Sequence, residues 1–388
     1  MSRFNAILLF VFATLASPAF SADPPMGTTL PEDDIDPATG LARSSVVRPL
    51  LDAPPVPQPR PIARPIVARP HVALILPTTS PALGRLAEAV RAGFMSAAEA
   101  AGREGVPVIV TAVDNEAAAL VEACRVAQAG GALLVVGGFT RDGAGTLASS
   151  ECARQPVLAL NELRGDLPAG AFSVSLSLEQ EARQAALLAV ADGWRGAIVI
   201  GTNTPLSRRV QEAFEREWSR AAGEIRRLPY SGNPEDAGEI RERIASSRGD
   251  MVFLALDATE AVAVRPYISA MLPTYATSLS VNPRAEPLVN LDLEGLRYLE
   301  MPWFIHPDHP AVMVYPRPQG LVNVEQERLY ALGIDAFRLA LLMLTAESRN
   351  PTLDGVTGRI SLEPGNHFMR QLSAAEVDGG RVIPLREQ

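Results

Sequence analysis

The feature that most constrains this chain is an alternation, starting at residue 71, of short apolar runs with longer stretches whose apolar residues recur at helical spacing. His71 to Leu76 is one such run and predicts a strand. The helix expected after it has Ser80 suited to the cap, Pro81 to the first turn, and Leu86, Val90, Phe94 and Ala97 to the buried face. The pattern repeats with strands at Val106 to Ala112, Ala132 to Val136, Val157 to Leu160 and Phe172 to Leu176, and helices at Glu116 to Ala129 and Asp142 to Ala153. A second series begins with a helix at Leu178 to Ala191. It continues through strands at Ala197 to Ile200, Ile225 to Pro229 and Met251 to Leu256, with helices at Pro205 to Ala222, Pro234 to Ser247 and Thr259 to Ser269. Strands joined by helical crossovers lie parallel, with helices on both faces of the sheet. Two series therefore predict an α/β chain of two doubly wound, Rossmann-like lobes, and 388 residues with 47% hydrophobic content supply two moderate cores.

Beyond Pro273 the alternation breaks. Tyr275 to Leu279 and Leu296 to Met301 read as strands, Val312 to Val324 as loop, and Glu325 to Ala346 as one long helix. Gly355 to Leu385 reads as strands, with Asp378-Gly379-Gly380 turning a hairpin. A chain that completes one lobe, builds the second and then returns to both joins them by several crossovers, which makes a hinge.

The first residues read as a secretory leader, cut after Ser21 or Ala19. Arg3 supplies the positive end, and the apolar stretch Ala6 to Ala16 is shorter than the roughly 20 residues of a spanning helix. No Cys stands near either cleavage point to carry a lipid, so the expected product is a periplasmic protein with neither outer-membrane lipid anchor nor direct membrane span. Residues 22–70 have no apolar period and contain the run Pro54-Pro55-Val56-Pro57-Gln58-Pro59-Arg60-Pro61, a linker favouring extended polyproline II. In an oxidising compartment Cys124 and Cys152 are candidates for a disulfide, with buried free thiols as the alternative.

Several chemistries are excluded. The sequence contains no Lys, so its 35 basic residues are all Arg, and phosphate-loop lysine, Schiff-base and Ser-Lys mechanisms are absent. A net charge of −9 offers no general attraction to nucleic acid. Gly138 to Gly143 has the spacing of a phosphate loop, but Ala144 stands where Lys is required. Gly143-x-Gly145-x-x-Ala148 opens a helix after the third strand, whereas a dinucleotide fingerprint belongs on the first. His306-Pro307-Asp308-His309 sits on a proline-broken loop that does not hold both imidazoles on one face, so no metal is expected. His71 and His367 are isolated and no nucleophile motif accompanies them, while Glu179 and Glu181 read as a solvated helix face. No catalytic residue and no cofactor are expected.

Open α/β sheets bind ligands beyond the C-terminal ends of their strands, where helix N-termini present free N–H groups. The candidates there are Thr79 and Ser80 after the first strand, Phe139 and Thr140 after the third, Asn161 after the fourth, and Thr202, Asn203 and Asp257 in the second lobe. The same residue types are good helix caps. As cleft groups, Thr140 and Asn161 are expected to tolerate replacement by Ala with little loss of stability.

Six segments carry a resemblance to a known family: His71 to Pro77, Pro156 to Asn161, Ala276 to Ser280, Glu300 to Trp303, Arg328 to Arg338 and Gly355 to Glu363. The chain from His71 onward resembles the C-terminal domain of the LpoA (LppC-type) penicillin-binding-protein activators, which have the type I periplasmic-binding-protein fold. That resemblance implies a non-catalytic periplasmic protein that contacts a bifunctional peptidoglycan synthase and regulates cell-wall synthesis. Relative to the enteric members, neither the lipobox Cys nor the N-terminal helical-repeat domain is expected in this chain. The alternative is a solute-binding protein of a transporter or sensor, holding an amino acid, amide or peptidoglycan fragment, a small polar ligand, in the interlobe cleft. The expected organisation is a leader at 1–21, a linker at 22–70 and one domain at 71–388. Within that domain the first lobe is expected at about 71–177 plus 280–345, and the second at about 178–279 plus 346–388.

Overall fold

The computed structural model describes residues 69–385 apart from 164, 166, 222, 321–322 and 346–350. The expected leader and nearly all of the proline-rich linker lie outside the described residues. The remainder belongs to one compact unit, Pro65–Gln388.

The first lobe opens with β1 (His71–Leu76), α1 (Gly84–Ala101), β2 (Val108–Ala112), α2 (Ala117–Ala129), β3 (Ala132–Gly137), α3 (Arg141–Ser149), β4 (Val157–Ala159) and β5 (Ala171–Val174). The second opens with α4 (Leu178–Ala191), β6 (Gly196–Gly201), α5 (Pro205–Ala221), β7 (Glu224–Pro229), α6 (Glu239–Ala245), β8 (Met251–Ala255), α7 (Ala258–Val264) and β9 (Thr274–Ala276). Then come α8 (Pro287–Asn290), β10 (Leu296–Glu300), α9 (Pro302–Ile305), α10 (Pro310–Met313) and α11 (Val324–Thr345). The tail holds β11 (Thr352–Asp354), β12 (Arg359–Glu363), β13 (His367–Gln371), β14 (Ser373–Asp378) and β15 (Arg381–Pro384).

These strands form two sheets, ordered β11-β12-β13-β5-β4-β3-β1-β2 and β15-β14-β10-β9-β8-β6-β7. The central strands of each are parallel and the edges β11–β13 and β14–β15 are joined antiparallel, so both lobes are doubly wound as expected. All of β1 and β8 is buried, as strands covered by helices on both faces must be.

The sheets divide the tail differently from the linear partition. β10 pairs in parallel with β9 and so lies in the second lobe, whereas β13 pairs with β5 through His367↔Ser173 and carries β11 and β12 into the first. The chain thus crosses between lobes after β5, after β10 and at Leu372, which separates β13 from β14. Hydrogen-bonded ladders assign lobes strand by strand, and a single-residue crossing leaves no break in composition to read.

Some elements end earlier than their periodicity suggests. The strand expected at Tyr275 to Leu279 stops at Ala276, because the Ser278 N–H is taken by the Glu181 carboxylate at 3.0 Å and Ser278–Ser280 forms a 3₁₀ turn. α7 ends at Val264, two residues before Pro266, and α1 starts at Gly84 rather than directly after Ser80.

The longest helices, α1 and α11, cross where Gly93 and Gly333 let their backbones touch: a Cβ on Gly333 would lie 2.1 Å from the Val90 carbonyl oxygen. Phe94 and Phe337 meet edge to face beside this crossing, with ring centroids 5.3 Å apart. On the opposite face of the same sheet Cys124 of α2 and Cys152 are joined as a disulfide, with Cα atoms 6.1 Å apart inside an apolar cluster containing Ile75, Val135 and Leu147.

Candidate functional site

The loops beyond the strand ends are built largely from residues that satisfy one another. Thr79 donates through Oγ1 to the Val113 carbonyl at 2.6 Å, tying the end of β1 to the end of β2, and the Ser80 carbonyl accepts the Gly84 N–H in the turn before α1. Thr140 caps α3 by accepting the Gly143 N–H at 3.0 Å, and donates to Asn115 Oδ1. Asn161 donates to the Phe139 carbonyl at 2.9 Å and accepts the Glu162 N–H, so Phe139, Thr140 and Asn161 form one cluster across the ends of β3 and β4.

In the second lobe Thr202 is buried, donating its N–H to Ser207 Oγ, which in turn donates to the Ala255 carbonyl and ties β6 to β8. Asp257 forms a capping box with Glu260 on α7, and Asn203 is exposed. The structure therefore gathers the predicted residues into two loop clusters, one per lobe. Most of their polar groups already serve as caps and ties.

Arginine–glutamate pairs dominate the junction between lobes. Glu179, at the start of α4, receives Arg141 of the first lobe at 2.7 Å and Arg209 of the second at 2.9 Å, with Glu162 3.7 Å from Arg141. Burial alone would raise its carboxyl, but hydrogen bonds from Arg141, its own backbone and Arg209 outweigh this and hold it at about 2. Glu179 and Glu181 are thus not the solvated pair expected from sequence; Glu181 is 4% exposed. A second exposed-side tether joins Arg284, after β9, to Glu327 of α11 at 2.6 Å. Glu327 also accepts Trp303 Nε1 at 2.8 Å, and Arg317 lies over the Trp303 ring.

Deeper in the junction, Arg328 of α11 reaches Glu300 at the end of β10 at 2.6 Å and Ser278 Oγ at 2.6 Å. Arg370 of β13, which is 2% exposed, lies 3.7 Å from Glu181 and donates to the carbonyls of Ser175 and Thr357. Asp335, two helical turns from Arg328 on the same face, accepts the N–H groups of Val356 and Thr357. Burial pushes the fully enclosed Glu300 carboxyl up to about 7 against the pull of Arg328.

Sequence reasoning did not single out Glu300, Arg328, Asp335 or Arg370 as site residues. A signal was present: Arg328 and Asp335 are charged residues seven apart on a helix otherwise apolar on that side, and both fall in a segment that carried the family resemblance.

The two histidines of the proline-broken loop border a cavity of about 680 Å³ beside the second and third crossings, together with Asp354, Arg359 and Leu372. His309 accepts the Ala311 N–H at Nδ1 and stands 3.4 Å from Asp354 through Nε2. Among the described residues no group of three His, Cys, Asp or Glu side chains is placed to hold a metal ion, and no helix is long and apolar enough to cross a membrane.

Comparison with known proteins matches residues 65–380 to the family described as "LppC putative lipoprotein". The penicillin-binding protein activator LpoA of Vibrio cholerae is 26% identical over 356 residues, covering 81% of this chain and 58% of that protein. Its namesake from Pectobacterium parmentieri is 25% identical, covering 97% of this chain and 60% of its own length. The chain thus spans somewhat more than half the length of these relatives.

Among solved structures, "a putative branched-chain amino acid ABC transporter" from Chromobacterium violaceum is 34% identical with a TM-score of 0.67, covering 79% of this chain and 100% of that one. The C-domain of Haemophilus influenzae LpoA, a regulator of PBP1A, superposes with a TM-score of 0.69 at 22% identity, covering 81% of this chain and 100% of that one.

Proposed function

The chain belongs to the LppC family, and from that premise we propose that it is a non-catalytic periplasmic activator of a peptidoglycan synthase, regulating cell-wall synthesis through protein contact. The observation that carries this reading is the junction itself. A protein that captures solutes by closing its lobes needs unengaged polar groups in the cleft and lobes free to part. Here the strand-end loops are occupied with their own caps, and the lobes are tied by four Arg–Glu contacts at Glu179, Glu327, Glu300 and Glu181. Such an assembly suits presentation of a fixed surface to a partner. The disulfide fits an oxidising compartment, in keeping with export.

Purified protein, immobilised through its C-terminus, should retain the periplasmic portion of a bifunctional penicillin-binding protein and raise the cross-linked fraction of its product in a polymerisation assay. Failure of both retention and stimulation would remove this reading. A second reading, a solute-binding component of a transporter or sensor, is favoured by the identity shared with the solved Chromobacterium violaceum protein over that protein's entire length. A thermal-shift screen against amino acids, amides and muropeptides tests this second reading, since stabilisation follows from ligand binding to the native state, while the retention and polymerisation assays test the first.

A further inference from the structure

Beside the first crossing, two neighbouring cavities share Glu162 and Arg183. One, of about 280 Å³, is lined by Ser173, Ser175, Gln180 and His367; the other, of about 360 Å³, by Arg209, Glu212 and Arg216. Together they reach the size range of small-molecule sites, roughly 300–1,000 Å³.

Gln180 and Arg183 lie three residues apart on α4, and therefore on one face of the helix. Gln180 is 7% exposed, and its buried Oε1 has no hydrogen-bond partner. A buried carboxamide oxygen left without a partner is destabilising, so a ligand N–H that reaches it gains by pairing with it. Arg183 is half-buried, and among the described residues its guanidinium has neither ion pair nor hydrogen bond. An unengaged guanidinium at a cavity wall presents a fork of donors that matches a carboxylate.

The charges around the two cavities are balanced rather than uniformly positive: Arg183, Arg209 and Arg216 face Glu162, Glu179 and Glu212. A simple anion would meet as much repulsion as attraction. A carboxylate with an N–H group beside it meets both the unengaged Arg183 guanidinium and the unpartnered Gln180 carboxamide oxygen.

We propose that this junctional cavity binds an α-carboxylate with its neighbouring N–H, from a free amino acid or a peptide C-terminus, with Arg183 holding the carboxylate and the Gln180 carboxamide pairing with the N–H. The proposal stands apart from the synthase reading and fails separately from it.

Isothermal titration calorimetry on the full chain, with alanine, alanylalanine of either hand, and the alanylalanine amide, tests the site. Binding of alanine or alanylalanine is expected, weakened at least tenfold by Arg183→Gln and by amidation of the carboxylate, and reduced by Gln180→Leu. Arg183→Gln should leave the thermal midpoint unchanged, because no interaction within the fold is lost. Binding of alanine as well as the dipeptide assigns the site to free amino acids, and of the dipeptide alone to peptide ends. Absence of heat from both ligands, or binding indifferent to Arg183→Gln or to amidation, overturns the proposal.

Discussion

Glu300 shows how much a single residue's surroundings decide. Its carboxyl is enclosed beneath the junction with Tyr298 on its own strand and Arg328, Glu181 and Arg370 from the elements packed around it, and burial raises it from 4.5 to about 7. A raised carboxyl binds a proton in the folded state that the unfolded chain has released. Its stabilising contribution is therefore complete below about pH 4.5 and is lost as pH rises through 7. The stability of the wild type relative to Glu300→Gln, from urea unfolding between pH 5 and pH 8, should fall as pH rises; a constant difference would show that Glu300 titrates normally. The cleft loops carry a correction at the same scale. Thr140 and Asn161 were expected to tolerate Ala, but Thr140 caps α3 and Asn161 binds the Phe139 carbonyl. Each replacement is now expected to cost about 1 kcal/mol, read from the same denaturation curves.

Among the elements, α1 and α11 are held at backbone contact by their glycines, and the long helix carries Glu327, Arg328 and Asp335 into the junction. Gly333→Ala would put a Cβ against the Val90 carbonyl, and separating the helices to relieve it should cost about 2 kcal/mol. A denaturation midpoint equal to that of the wild type would mean that the crossing yields without strain. On the other face, the disulfide closes a loop with a sequence separation of 28, for which chain entropy predicts roughly 3.5 kcal/mol of stabilisation. The double change of Cys124 and Cys152 to Ala should lower the unfolding midpoint accordingly. An unchanged midpoint would leave the bridge without a stabilising role.

For the whole molecule, the question is whether the lobes stay together. Glu179 and Arg284 anchor the two outer tethers, each worth on the order of 1 kcal/mol as partly exposed pairs. Glu179 titrates oppositely to Glu300: held at about 2 from an ordinary 4.5, it stabilises closure above pH 4.5 and loses that effect as pH falls towards 2. Solution scattering should give a larger radius of gyration for the Glu179→Gln, Arg284→Gln double variant at neutral pH, and for the wild type as pH drops below 4. Identical radii throughout would mean that the buried Arg328–Glu300 and Arg370–Glu181 contacts suffice to hold the junction.

Apolar periodicity determined the strand and helix order as far as Pro273, because burial on two faces of a parallel sheet imposes it locally; the helix expected at Leu178 to Ala191 is α4, and further on the Asp378-Gly379-Gly380 turn joins β14 to β15. The lack of lysine chemistry was legible from composition, whereas the cysteines were legible only as a candidate pair, with free thiols as the alternative. Which lobe each late strand enters was decided by tertiary structure, since β13 and β14 are separated by Leu372 alone and only the ladder each joins assigns its lobe. The junction's charge network was hidden for a related reason: Glu181, Glu300, Arg328 and Arg370 are distant in sequence, and although Arg328 interrupts the apolar face of α11, the partner that neutralises each charge is chosen only by the fold.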